Sequence, residues 1–328
     1  MNYYPVCIPT LNRYEHLKAC VESLQQCTHA DKTELIIGLD ALPPPPNYEV
    51  YREGYEKVKA YLPTINGFAK VTILERDSNY GAERNSDALE EYCLERYDAY
   101  IFTEDDNVFS PCFLDFMNKA LDKYRDDERV ASVCGFCRTE DYGISSYSAY
   151  LAYDDTGWGV GYWGYKRFEY MKATNNKTFF RDVIMSKATI DKFLDVYPEG
   201  LGMLLDMIKM KQSWGDVKHT AYNIMTGHFQ VKPSISMVRN RGFDGSGIHC
   251  SIAPSFSQQI ITQQLTYDLP NLLEVCRSKT VDTDASRDEI ARLRKRVRRH
   301  RLRCMLPEWL LAIADCLWRK IYHSRQMS

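Results

Sequence analysis

An α/β protein with a mostly parallel sheet flanked by helices is what this chain's pattern predicts, and three observations predict it. Short apolar runs alternate with stretches whose apolar residues recur every three to four positions. Several of the apolar runs end in polar, turn-forming residues. The 328 residues are 45% hydrophobic and 26% charged, enough to bury a sizeable core.

The elements follow in order. "YYPVCIP" predicts a first buried strand, and "TLNRYEHLKACVESLQQC" a helix whose Leu17, Cys20, Val21 and Leu24 share a face, with Thr10 and Asn12 as candidate caps. "TELIIGLD" predicts a second strand, ended by Asp40 and the stiff "LPPPP", and "AKVTILERD" a third. "GAERNSDALEEYCLERY" predicts a helix, "DAYIFTEDD" a fourth strand, "SPCFLDFMNKALDKYRDD" a helix with Pro111 near its start, and "RVASVCGF" a fifth strand. Strands alternating with helices imply right-handed crossovers and parallel pairing.

In such sheets ligands collect outside the carboxyl ends of the strands. Three polar clusters fall there: Pro9-Thr10-Leu11-Asn12-Arg13, Asp40, and Glu104-Asp105-Asp106. The turns carry neither G-x-G-x-x-G nor G-x-x-x-x-G-K-[ST], so a phosphate bound here needs a cation to neutralise it. In an extended segment Glu104 and Asp106 share a face and Asp105 points oppositely. Oxygen donors of this kind suit Mg²⁺ or Mn²⁺, which take one or two carboxylates and complete their shell with phosphates and water. A solvated acidic turn is the competing reading of the same triplet.

At this point the residues resemble a family. "PVCIPTLNRYEHLKACVESL" resembles the opening strand, turn and first helix of GT-A glycosyltransferases of the family-2-like and N-acetylglucosaminyltransferase I-like types. "IFTEDDNVFSPCFLDFM" is similar to their "EDD" version of the D-x-D metal motif. The resemblance spans roughly residues 3–255 and implies a GT-A (Rossmann-like) fold, a nucleotide-sugar donor, a divalent cation and glycosyl transfer. Carried over by position, it implies that Pro9, Thr10, Asn12, Arg13 and Asp40 lie at the nucleotide. Glu104 and Asp105 would flank it, Asp105 on the ribose side, and Asp106 would chelate the metal. "DSNYGAERNSDAL" is similar to an Asn-x-Gly…Arg-Asn segment under the nucleotide, about two residues shorter, which implies Arg84; the alternative is an exposed residue in a first helical turn.

"DDTGWGVGYWGYKRFEYM" crowds glycines and aromatics as neither an amphipathic helix nor a plain strand would. It resembles the family's W-G-W-x-x-W loop, implying Trp158, Gly159 and Trp163 as sugar contacts; an aromatic-packed junction is the alternative. Ser213-Trp214-Gly215-Asp216 resembles the S-W-D region, implying Asp216 as general base and Trp214 beside the substrate. Asp206 competes for that role, and a helix N-cap competes as the role of Asp216. "NRGFDGSGIH" is similar to a late loop that brings a histidine onto the metal, implying His249 as a ligand; a structural histidine is the alternative.

Eleven scattered cysteines, without framework spacing, fit a reducing compartment, and Cys134-Gly-Phe-Cys137 reads as buried strand-end packing before it reads as a redox or half-zinc pair. The opening "MNYYPVCIPTLNR" has no basic stretch followed by an apolar run, so a cytoplasmic protein is expected. Residues 287–328 carry 12 Lys and Arg against 4 Asp and Glu, a balance of +8 that leaves −10 on residues 1–286. The expected organisation is a catalytic domain over 1–276, with a nucleotide-binding half at 1–140 and an acceptor half at 141–276, and a basic helical tail over 277–328.

Ser286 and Glu289 form a capping-box pattern that starts the tail helix. Around and beyond Pro307, Leu306, Leu310, Ile313, Leu317 and Ile321 share one side, interrupted by charge, so the tail is expected to lie on an anionic membrane surface at the cytoplasmic face rather than to cross it. Nucleic acid is not expected, because the aromatics follow the basic block instead of interleaving with it. The expected activity is metal-dependent, inverting transfer of a hexosyl or N-acetylhexosaminyl group, UDP-sugar favoured, to a glycan or lipid-linked acceptor. The rival is a membrane-recruited nucleotide-sugar-binding or scaffold protein without catalysis. Glycoside hydrolysis fits poorly, since acid and base stand about 5–9 Å apart across a sugar and adjacent carboxylates diverge.

Overall fold

The computed structural model describes residues 1–46, 48–138, 148–245, 252, 256, 258–259, 261–271, 273–276 and 284–305. The first half runs β1 (Val6–Thr10), α1 (Tyr14–Gln25), β2 (Glu34–Leu39), α2 (Tyr48–Tyr61), β3 (Lys70–Glu75), α3 (Ala82–Leu94), β4 (Ala99–Phe102), β5 (Asn107–Phe109), α4 (Phe113–Lys123) and β6 (Val130–Cys134). The second adds β7 (Ala149–Ala152), β8 (Val160–Trp163), α5 (Gly164–Thr174), α6 (Phe179–Met185), α7 (Lys187–Val196), α8 (Pro198–Met210), α9 (Gly215–Thr226), β9 (Phe229–Pro233), β10 (Val238–Asn240) and α10 (Asp284–Met305).

Eight strands form one sheet in the order β3-β2-β1-β4-β8-β6-β9-β7. β1 pairs in parallel with β2 and β4, β2 with β3, and β6 with β9; only β8 and β7 run against the rest. The α/β architecture expected from the sequence is therefore observed. The chain builds outward from β1 to β2 and β3, then returns to place β4 on β1's other side. That reversal makes a crevice at the carboxyl ends of β1 and β4, the usual ligand position in open α/β sheets.

Both faces of the sheet are covered, which explains near-continuous apolar strands. Val6 and Ile8 of β1, Leu35 and Ile37 of β2 and Ile101 of β4 belong to the larger core with α1 and α4. Their alternates Cys7, Ile36 and Tyr100 pack on the opposite face under Leu89 and Cys93 of α3. On that face Arg167 of α5 donates Nε and Nη2 hydrogen bonds of 2.7 Å to Glu90, a bidentate pair that satisfies both buried charges.

Three sequence expectations change in detail. α1 starts at Tyr14 with Arg13 at its N-cap and no side-chain cap, so neither Thr10 nor Asn12 caps it; Thr10 is the last residue of β1. "RVASVCGF" forms the sixth strand, because the short β5 intervenes directly after the acidic triplet and pairs with β10 in a separate two-stranded sheet. α10 is already helical at Asp284, ahead of Ser286. The run from Leu306 to Ile321 lies outside the described residues, and no described helix is long and apolar enough to cross a membrane.

Candidate active site

Two turns meet at the crevice. The turn after β1 supplies Arg13, whose Nη1 donates to Asp106 Oδ2 at 2.8 Å and whose Nη2 donates to Asp105. The Thr10 hydroxyl donates to Asp105 Oδ2 at 2.8 Å. Both carboxylates are nearly inaccessible, at 3% and 5% exposure, so a cation beside them offsets their desolvation. Burial pushes the Asp105 carboxyl up and Arg13 pulls it back, while the three acids hold the Arg13 guanidinium charged despite its own burial.

Glu104 differs from its neighbours. Its side chain reaches solvent, yet desolvation by the surrounding walls, with Asp106 next in size, pushes its carboxyl up to about 8 against the pull of Arg13. Asp216, in the first turn of α9, is also solvent-accessible with a carboxyl raised mainly by desolvation. Both residues thus reach solvent while neighbouring protein opposes ionisation of their carboxyls. Asp216 adds to the charge acting on Glu104, so the two lie within electrostatic reach of each other.

A third segment closes on the triplet. β10 pairs with β5 in the register Asn240 to Asn107, carrying the loop after it onto Asp106. Asn240 Nδ2 donates to Asp106 Oδ1 at 3.1 Å, the Arg241 amide donates to the Asp106 carbonyl at 2.9 Å, and the Gly242 amide donates to Asn240 Oδ1 at 2.7 Å. Farther along, His16 of α1 meets Asp244 at 3.0 Å. Asn240 and Gly242 were not singled out from the sequence; the signal available was the three-glycine loop itself, read there only for His249. His249 lies outside the described residues.

The remaining candidates divide. Asp40 is buried and accepts from the amides of Ala41, Tyr80 and Gly81 and from Asn79 Nδ2, at 2.8–3.1 Å, so its carboxylate clamps the turn into α3. Pro9 is a partly buried strand residue in register with Gly38, and Asn12 is a partly buried residue of the turn. Arg84 is exposed in the first turn of α3 and stacks over the Tyr80 ring at 4.8 Å. Trp163, expected at the sugar, is fully buried and its Nε1 donates to the Leu121 carbonyl at 3.0 Å, as a core residue would be placed.

Trp158 stays partly exposed and packs edge-on against Phe136, Phe243 and Phe256 with centroids 4.6–5.7 Å apart. Gly159 has a φ of +66°, and a β-carbon there would meet Phe113 at 2.9 Å, so only glycine lets the loop pass. Trp214 is half-buried at the N-cap of α9 and packs on the main core. Asp216 is therefore not the cap residue; its Oδ1 accepts from the Val217 amide at 2.8 Å. Asp206, the competing candidate, pairs with Arg296 of α10 at 2.6 Å.

Behind the cleft lies a polar network that sequence reasoning missed. Lys232, 1% exposed, is ion-paired with Asp154 and donates to Thr156 Oγ1 at 3.2 Å. Asp155 accepts from Ser132 and Gln230 at 3.1 and 2.9 Å and meets His219 Nδ1 at 3.1 Å. Burial opposes its ionisation, but His219 holds its carboxyl below the usual range. Cys134 and Cys137 are buried free thiols pushed up to about 12 by burial, as inert packing residues would be.

Do the donors suit a divalent cation? Among the described residues no three His, Cys, Asp or Glu side chains form a cation-holding group. Mg²⁺ and Mn²⁺ need only one or two protein carboxylates when phosphates and water complete the shell. Glu104 offers solvent-facing oxygens, Asp106 keeps lone pairs beyond those used by Arg13 and Asn240, and Arg13 offsets part of the acidic charge. Glu104 and Asp106 thus fit such an ion.

No family model and no curated protein matches the chain. Among solved structures it is similar to TarS of S. aureus, residues 1–349, at 13% identity over 57% of this chain and 52% of that one, with a TM-score of 0.35. It is also similar to the mannosyltransferase PcManGT from Pyrobaculum calidifontis in complex with GDP-Man and Mn²⁺, at 15% identity over 70% of this chain and 54% of that one, with a TM-score of 0.40. The chain spans about half the length of these solved chains. At such scores the functional reading rests on the side chains of the cleft.

Proposed function

We propose that the protein is a glycosyltransferase that moves a hexosyl or N-acetylhexosaminyl group from a nucleotide-diphosphate donor, a UDP-sugar by preference, to a hydroxyl of a glycan or lipid-linked acceptor. One observation carries it: Arg13, from the turn after β1, bridges Asp105 and Asp106 at the end of β4, with Asp216 near enough to add to the charge acting on Glu104. The same cluster far from a crevice would be an acidic turn and nothing more.

In this reading the donor lies over the ends of β1 and β4, with Thr10, Asn12 and Arg13 at the nucleotide and Trp158 presenting an aromatic edge to the sugar side. Asp216 accepts the proton of the attacking hydroxyl; the acceptor oxygen bonds to the anomeric carbon as the bond to the diphosphate oxygen breaks, which inverts the configuration. The desolvated setting that raises the Asp216 carboxyl makes it a stronger base than a surface aspartate. Arg13, paired with Asp105 and Asp106, would bring a positive charge to the departing diphosphate. A Mg²⁺ or Mn²⁺ ion held by Glu104 and Asp106 would supply Lewis-acid stabilisation of that leaving group.

The test is a thermal-shift titration with UDP, GDP and Mn²⁺, followed by a hydrolysis and transfer panel of nucleotide sugars. A nucleotide-dependent rise in Tm that Asp106→Ala abolishes, together with turnover of at least one donor, supports the reading. Binding without turnover favours a sugar-nucleotide-binding scaffold, and no binding sinks both.

A further inference from the structure

The basic helix α10 is part of the body, not a loose tail. Leu293 and Val297 are buried in the main core, and Ile290 packs against it. Arg296 Nη2 donates to Asp206 Oδ1 at 2.6 Å and to the Gly202 carbonyl at 3.4 Å, both on α8, and Arg301 Nε donates to the Ile184 carbonyl of α6 at 2.7 Å. Residues 290, 293, 297, 301 and 304 recur at helical spacing, so one side of α10 faces the protein.

The opposite side turns outward. Arg294, Lys295, Arg298 and Arg299 are exposed there, and Leu302 and Met305 stand among them at 63% and 64% exposure. After Glu289 no acid occurs in the sequence until Glu308, whereas residues 1–286 carry a net −10. A cationic ridge on an acidic body, with two large apolar side chains set into it, complements a surface that is anionic at the headgroups and apolar just beneath. Nucleic acid would use the charges but not the apolar pair.

We propose that the outward face of α10 is a docking surface for an anionic lipid bilayer, with the four cations at the headgroups and Leu302 and Met305 entering the interface. Because α10 is fixed to α6 and α8, docking sets the orientation of the whole catalytic body, not only its distance from the bilayer. The sequence after Met305, with Trp309 and Trp318 among apolar residues at helical spacing, extends the same chemistry. This inference is independent of the glycosyltransferase reading, since it needs no donor or metal.

The experiment uses the full chain, sedimented with vesicles of phosphatidylcholine alone or with roughly one-third phosphatidylglycerol. Binding is expected to the acidic vesicles and to fall steeply as salt rises. The combined Arg294→Gln, Lys295→Gln, Arg298→Gln and Arg299→Gln variant should weaken it roughly 100-fold or more. Leu302→Ser with Met305→Ser should weaken it about tenfold without changing the salt dependence. Unchanged circular dichroism and Tm establish that the variants are folded. Equal binding to neutral vesicles, retention by the four-substitution variant, or tighter binding to a single-stranded oligonucleotide or to polyglutamate than to the acidic vesicles overturns the assignment.

Discussion

Gly242 lies so close to Asp106 that a β-carbon added to it would sit 2.0 Å from Asp106 Oδ2. That carboxylate cannot easily swing away, because Arg13 holds one oxygen and Asn240 the other. Overpacking of this kind costs about 1–3 kcal/mol. If the strain displaces Asp106 from its working position, Gly242→Ala lowers kcat/KM by about 5- to 150-fold. Steady-state kinetics of the variant measure it directly, and a wild-type rate would separate this loop from the chemistry.

Arg13 is the only described side chain whose hydrogen bonds bridge Asp105 and Asp106. Arg13→Met should destabilise the fold by about 3–5 kcal/mol, the usual result of leaving buried carboxylates without their partner. A divalent cation would replace part of the missing charge. Mn²⁺ should therefore raise the Tm of Arg13→Met by more than it raises that of the wild type; no rise in either protein would mean that the triplet holds no cation.

The opening helix, the alternation of strands and the position of the triplet at a strand end were legible because each follows from local periodicity. What joined the triplet to the rest was not local. β5 has three residues and β10 three, too short for a periodic signal, yet their pairing carries Asn240 and Gly242 onto Asp106 across more than a hundred residues of sequence. Trp163 shows the converse case. Its glycine-rich, aromatic surroundings resemble a sugar-binding loop, and only the antiparallel insertion of β8 between β4 and β6 turns its ring inward. Tertiary placement decided both, and no window of sequence contains it.

The two tryptophans of that segment make opposite predictions. Trp163→Ala removes a fully buried ring and its hydrogen bond to Leu121 and should cost about 3–5 kcal/mol, so it lowers Tm sharply. Trp158, partly exposed in its aromatic cluster, should cost less when truncated and should raise KM for donor or acceptor. Denaturant unfolding and kinetics on the two variants separate the roles; a KM change confined to the Trp163 variant would reverse the assignment.

Asp206 of α8 and Asp216 of α9 lie on either side of one short turn but face different partners, which makes them a controlled comparison. Asp216→Asn removes the proposed base and should reduce kcat by about 10²- to 10⁴-fold with nucleotide binding intact. Asp206→Asn loses one partly exposed ion pair to Arg296, worth at most about 1 kcal/mol, and should leave kcat unchanged while weakening the docking of α10. The pH dependence gives a second readout. Burial raises the Asp216 carboxyl, so its protonated form is favoured in the fold: the resulting stability is complete below the ordinary carboxylate value and is lost as pH rises through the folded one. Activity requires the ionised form and runs the other way, rising through that same elevated value. The acidic limb of kcat/KM should therefore lie above the ordinary range for an aspartate and disappear in Asp216→Asn. A limb that persists in the variant would assign the titration, and the base, to another group.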